Sequence, residues 1–284
     1  MIFLENEHFK IGLLEMGAEL RSVVNKITQN EYMWQADPSV WNRSSPILFP
    51  FVGRLKNDQY EYLGKIYYLP QHGFARNYNF DVISKSKSQL IFELESNEET
   101  LLNYPFQFKL QLNYELKENA LELTYRIENA GNDLMYYSIG AHPAFRLNSE
   151  IGKYSIKFDI PESFNRQLLS GGLRTDQSEN VEFDGTTLSL EPEYFKEDAI
   201  VIKGLKSNVL TIIDEQSKPY VSLEAQDYPY YGIWSKNPFP FVCLEPWDGI
   251  ADQVEASGKL TEKEGIKTLE SSEVVFRRIT FRFF

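Results

Sequence analysis

Two of the three histidines in this 284-residue chain, His72 and His142, fall in segments broken by Gly or Pro, "YYLPQHGFARNYNF" and "SIGAHPAF". A third such segment, "FPFVCLEPWDGIAD", places Glu245 at the end of an apolar run and directly before Pro246 and Trp247. A fourth, "SPILFPFVGRLKND", brings Arg54 in behind Gly53. A histidine and a glutamate in unlike surroundings can serve as a general acid/base pair, which needs neither a metal nor a nucleophile. Neither histidine has a second His or Cys at ligand spacing, so a metal centre is the weaker reading and no metal or cofactor is expected. Asp248 and Asp252, four apart, are weak candidates for a cation. There is no GxSxG segment and no Walker or Rossmann glycine pattern. Each residue also has a plain structural reading: His72 as a turn residue, Arg54 and Glu245 as an internal ion pair stapling two sheets. Their joint occurrence at strand ends, where loops gather functional groups, favours a site.

The elements that must position these groups are strands. In "FQFKLQLNYEL", Phe106, Phe108, Leu110, Leu112, Tyr114 and Leu116 alternate with polar residues, the period of a half-buried strand. After the turn "KEN", "ALELTYRIEN" repeats the pattern through Leu121, Leu123, Tyr125 and Ile127, which predicts an antiparallel pair. "YEYLGKIYYL" reads as a hairpin with Gly64 in its turn. Similar runs continue to "FRRITFRFF" at the C-terminus. Helical signals are few: Ser96 three residues before Glu99 is a candidate capping box, soon ended by Pro105. "LLSGGLRTDQSENVEFDGT" reads as loop-rich but too short to divide the chain. The expectation is an all-β protein, one antiparallel domain over residues 1–284.

Composition narrows the function. A formal net charge of −12, with no basic cluster, argues against nucleic acid or anionic lipid as a partner. Hydrophobic residues at 42% are ample for a core, which excludes disorder. The single cysteine, Cys243, cannot close an internal disulfide and sits in an apolar run, so it reads as a small buried hydrophobe. The N-terminal stretch has acidic residues where a signal peptide needs an unbroken apolar core, and no run reaches the ~18 residues of a membrane span. These features predict a soluble, reduced, cytoplasmic protein.

The pieces "GRLKNDQY", "QHGFAR", "GAHPAF" and "CLEPWDGIAD", in this order and spacing, resemble the aldose 1-epimerase (galactose mutarotase) family, most closely its short LacX-like bacterial branch. "EDAIVIKGLKS" and "YGIWSK" support the match, which runs from about residue 10 to the C-terminus. The resemblance implies a large antiparallel β supersandwich and an isomerase that interconverts the anomers of a free aldose without a cofactor. It implies Glu245 as the base that takes the C1 hydroxyl proton and His142 as the acid that protonates the ring oxygen. His142 is expected to be substantially protonated near neutral pH, and Glu245 ionised. Arg54 and His72 match positions that hold sugar hydroxyls, and Asp198 matches a hydroxyl-binding aspartate. Trp247 is a candidate surface for the apolar face of a pyranose. The "HGFAR" segment also resembles a branch acting on hexose 6-phosphates, where Arg76 would meet the phosphate. A sugar-binding protein of the same fold without catalysis is a further alternative. Glycoside hydrolysis would need Asp248 or Asp252 as a second carboxylate.

Overall fold

The computed structural model describes residues 1–284, and its strands hydrogen-bond in antiparallel fashion throughout the two large sheets. In the nine-stranded sheet the order across the sheet begins with Thr187–Ser189, Tyr154–Phe158, Val209–Asp214, Pro219–Ala225 and Val274–Phe283. It continues through Ala120–Asn129, Phe108–Lys117, Gln89–Glu95 and Asp81–Lys85. The eight-stranded sheet runs Leu173–Asn180, Asn165–Ser170, Ile200–Lys203, Tyr230–Trp234, Phe241–Asp248, Ile139–Ala141 and Ile47–Leu48, with Ala144–Arg146 also on Phe241–Asp248. The predicted all-β supersandwich is therefore what the chain forms.

Period-two patterning explains how the sheets meet. In Phe108–Lys117 the residues Leu110, Leu112, Tyr114 and Leu116 are buried while those between them are partly wet. The following strand pairs with it as expected, Leu121 opposite Leu116 and Tyr125 opposite Leu112. Apolar side chains from both sheets join one continuous core: Leu112, Tyr125 and Phe281 from the larger, Ile202, Ile233, Val242 and Leu244 from the smaller. Burial of that apolar area is the main stabilising term, about 25 cal/mol per Å² removed from water. The hairpin Gln59–Tyr62/Lys65–Tyr68 turns at Leu63-Gly64, both with positive φ. No helix is long and apolar enough to cross a membrane.

Two local expectations are corrected. The short helix Glu98–Asn103 is capped by Asn97, not Ser96: the Asn97 side chain accepts from the Thr100 N–H and the Thr100 hydroxyl accepts from the Asn97 N–H. The segment read as loop-rich forms a hairpin, Asn165–Ser170 against Leu173–Asn180, because Gly171 and Gly172 both adopt positive φ and close a two-residue turn. Its polar sequence hid the strands, since one of its faces lines a cavity and not the core.

Candidate active site

The strand Phe241–Asp248 is buried along its whole length, and its two faces do different work. Val242 and Leu244 point into the main core. On the other face stand Phe241, Cys243, Glu245 and Trp247, and Glu245 and Trp247 line a cavity of about 700 Å³. That size suits a small polar molecule. Two glycines make room for the Trp247 ring. A Cβ on Gly232 would lie 2.5 Å from its six-membered ring, and one on Gly140 would lie 2.9 Å from its Cδ1.

Strand register delivers His142 to Glu245. Gly140 pairs with Trp247 on one side of the His-Pro step, and Ala144 pairs with Cys243 on the other. His142 therefore falls level with Glu245. Pro143 has no N–H to give the ladder, so the strand breaks there and its neighbour is free to reach the cavity. The His142 Nε2 lies 3.2 Å from Glu245 Oε2. Despite that contact, Glu245 Oε2 and His142 Nδ1 are shut from solvent and make no well-aligned hydrogen bond. Two indoles hold the imidazole: Trp41, its ring 5.0 Å away and tilted, and Trp234, edge-on at 5.6 Å.

His72 is fixed by its backbone. It sits at φ 67°, followed by Gly73 at 71°, where a Cβ would strike the Phe49 carbonyl at 2.3 Å. Its N–H donates to the Gly53 carbonyl, and the Gly53 N–H donates back to His72 Nδ1 at 3.1 Å. Because Nδ1 accepts, the neutral ring carries its proton on Nε2 and offers a donor there. The His72 ring stands edge-on to His142, centroids 5.8 Å apart.

Burial governs the electrostatics. It pushes Glu245 well above the usual carboxylate range, Asp198 adds to the rise, and the nearby Trp247 indole N–H opposes it. It holds His142 down at about 3, and His72 well below its ordinary value with a further contribution from His142. Both shifts run against the expectation of a largely protonated His142 and an ionised Glu245 in the resting protein. Desolvation disfavours both charges, which favours a pair that shares one proton and carries no net charge.

The cavity brings together His72, Arg76, His142, Asp198, Glu245 and Trp247. Arg76 Nη2 donates to the Gln71 carbonyl at 2.6 Å, and burial lowers its pKa to about 10, which leaves it cationic. Asp198 Oδ1 accepts from the Ala199 N–H, and burial raises its pKa. Arg54 does not line this cavity. Its guanidinium grips Asp58 with two bonds of 2.9 and 2.8 Å and donates to the Gly171 carbonyl, so the alternative of an Arg54–Glu245 staple is excluded as well. Asp248 and Asp252 also stand outside it, matched by Lys267 and Arg277 and by Lys263 respectively.

Sequence reasoning missed Trp41 and Arg174. Arg174, almost wholly buried, donates from Nε to the Ala251 carbonyl and from Nη2 to Glu264, tying the hairpin to the loop beyond Glu245. The signal for Trp41 was present in the spacing "WQADPSVW", two tryptophans in a polar segment, which a solvated loop would not need.

Comparison with known proteins agrees with this architecture. Residues 1–263 match the family model described as aldose 1-epimerase. The chromosomal LacX protein of Lactococcus lactis is 33% identical over 280 residues, 92% of each chain. A galactose mutarotase related enzyme from Lactobacillus acidophilus superposes with a TM-score of 0.94 at 34% identity, covering 100% of this chain and 97% of that one. A galactose mutarotase-like protein from Lactobacillus casei gives 0.95 at 32% identity, with both chains fully covered. The buried His–Glu pair thus lies on the scaffold of a sugar-isomerising family, and the chain belongs to the aldose 1-epimerase family.

Proposed function

We propose that this protein is an aldose 1-epimerase that interconverts the α and β anomers of a free aldohexose by general acid/base catalysis. The observation that carries the reading is the 3.2 Å contact between His142 Nε2 and Glu245 Oε2 at the wall of a sugar-sized cavity. The C1 hydroxyl and the ring oxygen of an aldose hang on the same carbon, so acid and base must converge within a few ångström of one another. Once the shared proton has passed from Glu245 to His142, Glu245 takes the hydroxyl proton and His142 gives one to the ring oxygen. The ring opens, C1 turns about the C1–C2 bond, and closure on the other face returns both protons. The resting pair already holds the single proton that this cycle needs, so no proton need be drawn from water. The chemistry moves no electrons to an acceptor and forms no covalent adduct, so two proton carriers suffice.

His72, donating from Nε2, and Asp198 are positioned to bind hydroxyls, and Trp247 and Trp234 offer apolar ring faces. A hexose 6-phosphate is the second reading, favoured by the cationic Arg76 in the cavity wall. Polarimetry of freshly dissolved α-D-glucose, α-D-galactose and their 6-phosphates, against the buffer blank and Glu245→Gln, tests both. Acceleration by the wild type alone supports the epimerase and identifies the sugar class. Sugar binding without acceleration would leave a non-catalytic sugar-binding protein.

A further inference from the structure

We propose that the catalytic pair doubles as a binding site for a thiophilic divalent cation of the Zn²⁺ type, completed by Cys243, and that occupation reversibly shuts the enzyme off. Its regulatory half rests on the acid/base reading above. Its binding half does not.

Cys243 and Glu245 are two apart on one strand and share its site-facing side, while register brings His142 level with them. One ligand atom from each of the three lies within 4.8 Å of the others. All three side chains are buried. Independently of that clustering, one of the would-be donor atoms, Glu245 Oε2, is buried without a well-aligned hydrogen-bond partner, and the Glu245 side chain is only 2% exposed. Buried polar atoms normally find partners, so an orphan carboxylate oxygen beside a thiol leaves coordinating capacity unspent.

Thiolate, imidazole and carboxylate together suit a borderline-soft ion such as Zn²⁺, and three protein ligands leave a fourth position for water. Bond lengths of 2.0–2.3 Å set tetrahedral S, N and O ligands about 3.3–3.6 Å apart, so closing the cluster from within 4.8 Å brings any two ligand atoms together by up to about 1.5 Å, shared between two side chains. The charges also balance. Binding releases two protons to buffer, one from the thiol and one from the His–Glu pair. The thiolate and carboxylate left behind neutralise one dication, so the buried site stays uncharged overall. Hard ions that prefer all-oxygen shells, such as Mg²⁺, gain nothing from the sulfur and nitrogen. With the ion in place, Glu245 cannot accept a proton and His142 cannot deliver one.

Cys243 is the only cysteine, so any thiolate–metal signal must come from it. The first experiment titrates tag-free protein with Co²⁺ as a spectroscopic surrogate. A thiolate-to-cobalt charge-transfer band saturating at one equivalent is expected, displaced by Zn²⁺ and absent in Cys243→Ser and Cys243→Ala. Absence of that band in the folded wild type would overturn the site, whether or not the protein turns over any sugar. The second experiment measures mutarotation against Zn²⁺, each variant normalised to its own metal-free rate. Full loss of wild-type turnover, restored by a chelator, is expected, with at least tenfold more Zn²⁺ needed for Cys243→Ser. Equal sensitivity of wild type and Cys243→Ser would overturn the proposal. Should Cys243→Ser fold poorly, His142→Asn must keep the thiolate band but bind Co²⁺ at least tenfold more weakly; unchanged affinity there would overturn it too.

Discussion

Glu245 and Asp248 stand three residues apart on one strand, both essentially closed to solvent, and the protein treats them in opposite ways. Asp248 faces the main core and is matched in charge by Lys267 at 2.8 Å and Arg277 at 2.7 Å. Glu245 faces the cavity, meets only the imidazole of His142, and is driven upward in pKa by burial. Asp252, four residues further on, repeats the Asp248 solution with Lys263 and the Lys56 N–H. A buried carboxylate given its counter-charge is inert scaffold. One denied it is costly and therefore available for proton transfer.

Removing each carboxyl should separate the two kinds most sharply. Glu245→Gln is expected to lower mutarotation about 10³-fold or more, with a melting temperature equal to or above the wild type, since an unpaired buried acid is lost. Asp248→Asn should do the reverse. Stranding two partly buried cations is expected to cost about 2–4 kcal/mol of stability, read by denaturant unfolding, with turnover per folded molecule little changed. If Glu245→Gln lost stability while Asp248→Asn lost only turnover, the contrast between the two carboxylates would collapse.

The pH profile tests the same contrast without mutation. An ordinary histidine acid would show an inflection near pH 6.5. Here the pair carries one proton whether it sits as neutral His and protonated Glu or as imidazolium and carboxylate, so kcat/KM should not respond to pH while that count holds. As pH falls, activity is lost only when His142 takes a second proton, near 3. As pH rises, it is lost when the pair gives up its proton, at a value well above the ordinary carboxylate range because Glu245 is raised. Initial rates in buffers from pH 4 to 9, corrected for the uncatalysed reaction, would show a plateau through 6.5. An inflection at 6.5 that vanishes in His142→Asn would refute the one-proton description.

Much of this was legible in the chain because strand periodicity and motif chemistry are local. Leu110 to Leu116 and Leu121 to Ile127 declare their faces by alternation alone, and Glu245 and His142 stand out as polar groups in apolar company. What the sequence hid depends on distance and desolvation. The charge state of His142 is set by burial between Trp41 and Trp234, residues about 100 positions away on either side. The hairpin carrying Arg174 lacks apolar alternation because neither face sits squarely on the core. Arg54 looked equivalent to the other site residues until Asp58, four positions on, claimed its guanidinium.

That last difference supports the smallest and most discriminating prediction. Arg54 and Arg76 flank the same motif region, yet Arg54 is 41% exposed and bonded to Asp58, while Arg76 lines the cavity. The Arg54–Asp58 pair is a surface ion pair, a type usually contributing up to about 1 kcal/mol. Arg54→Ala should therefore change stability by no more than that and leave KM for every sugar within a factor of two or three, an energy below about 0.7 kcal/mol. Arg76→Ala should raise KM for a hexose 6-phosphate far more than for the free hexose if phosphate is recognised there, and equally little for both if the substrate is a free aldose. A large KM effect from Arg54→Ala would mean that Arg54 leaves Asp58 when sugar arrives. The site would then extend along the loop that separates the two arginines.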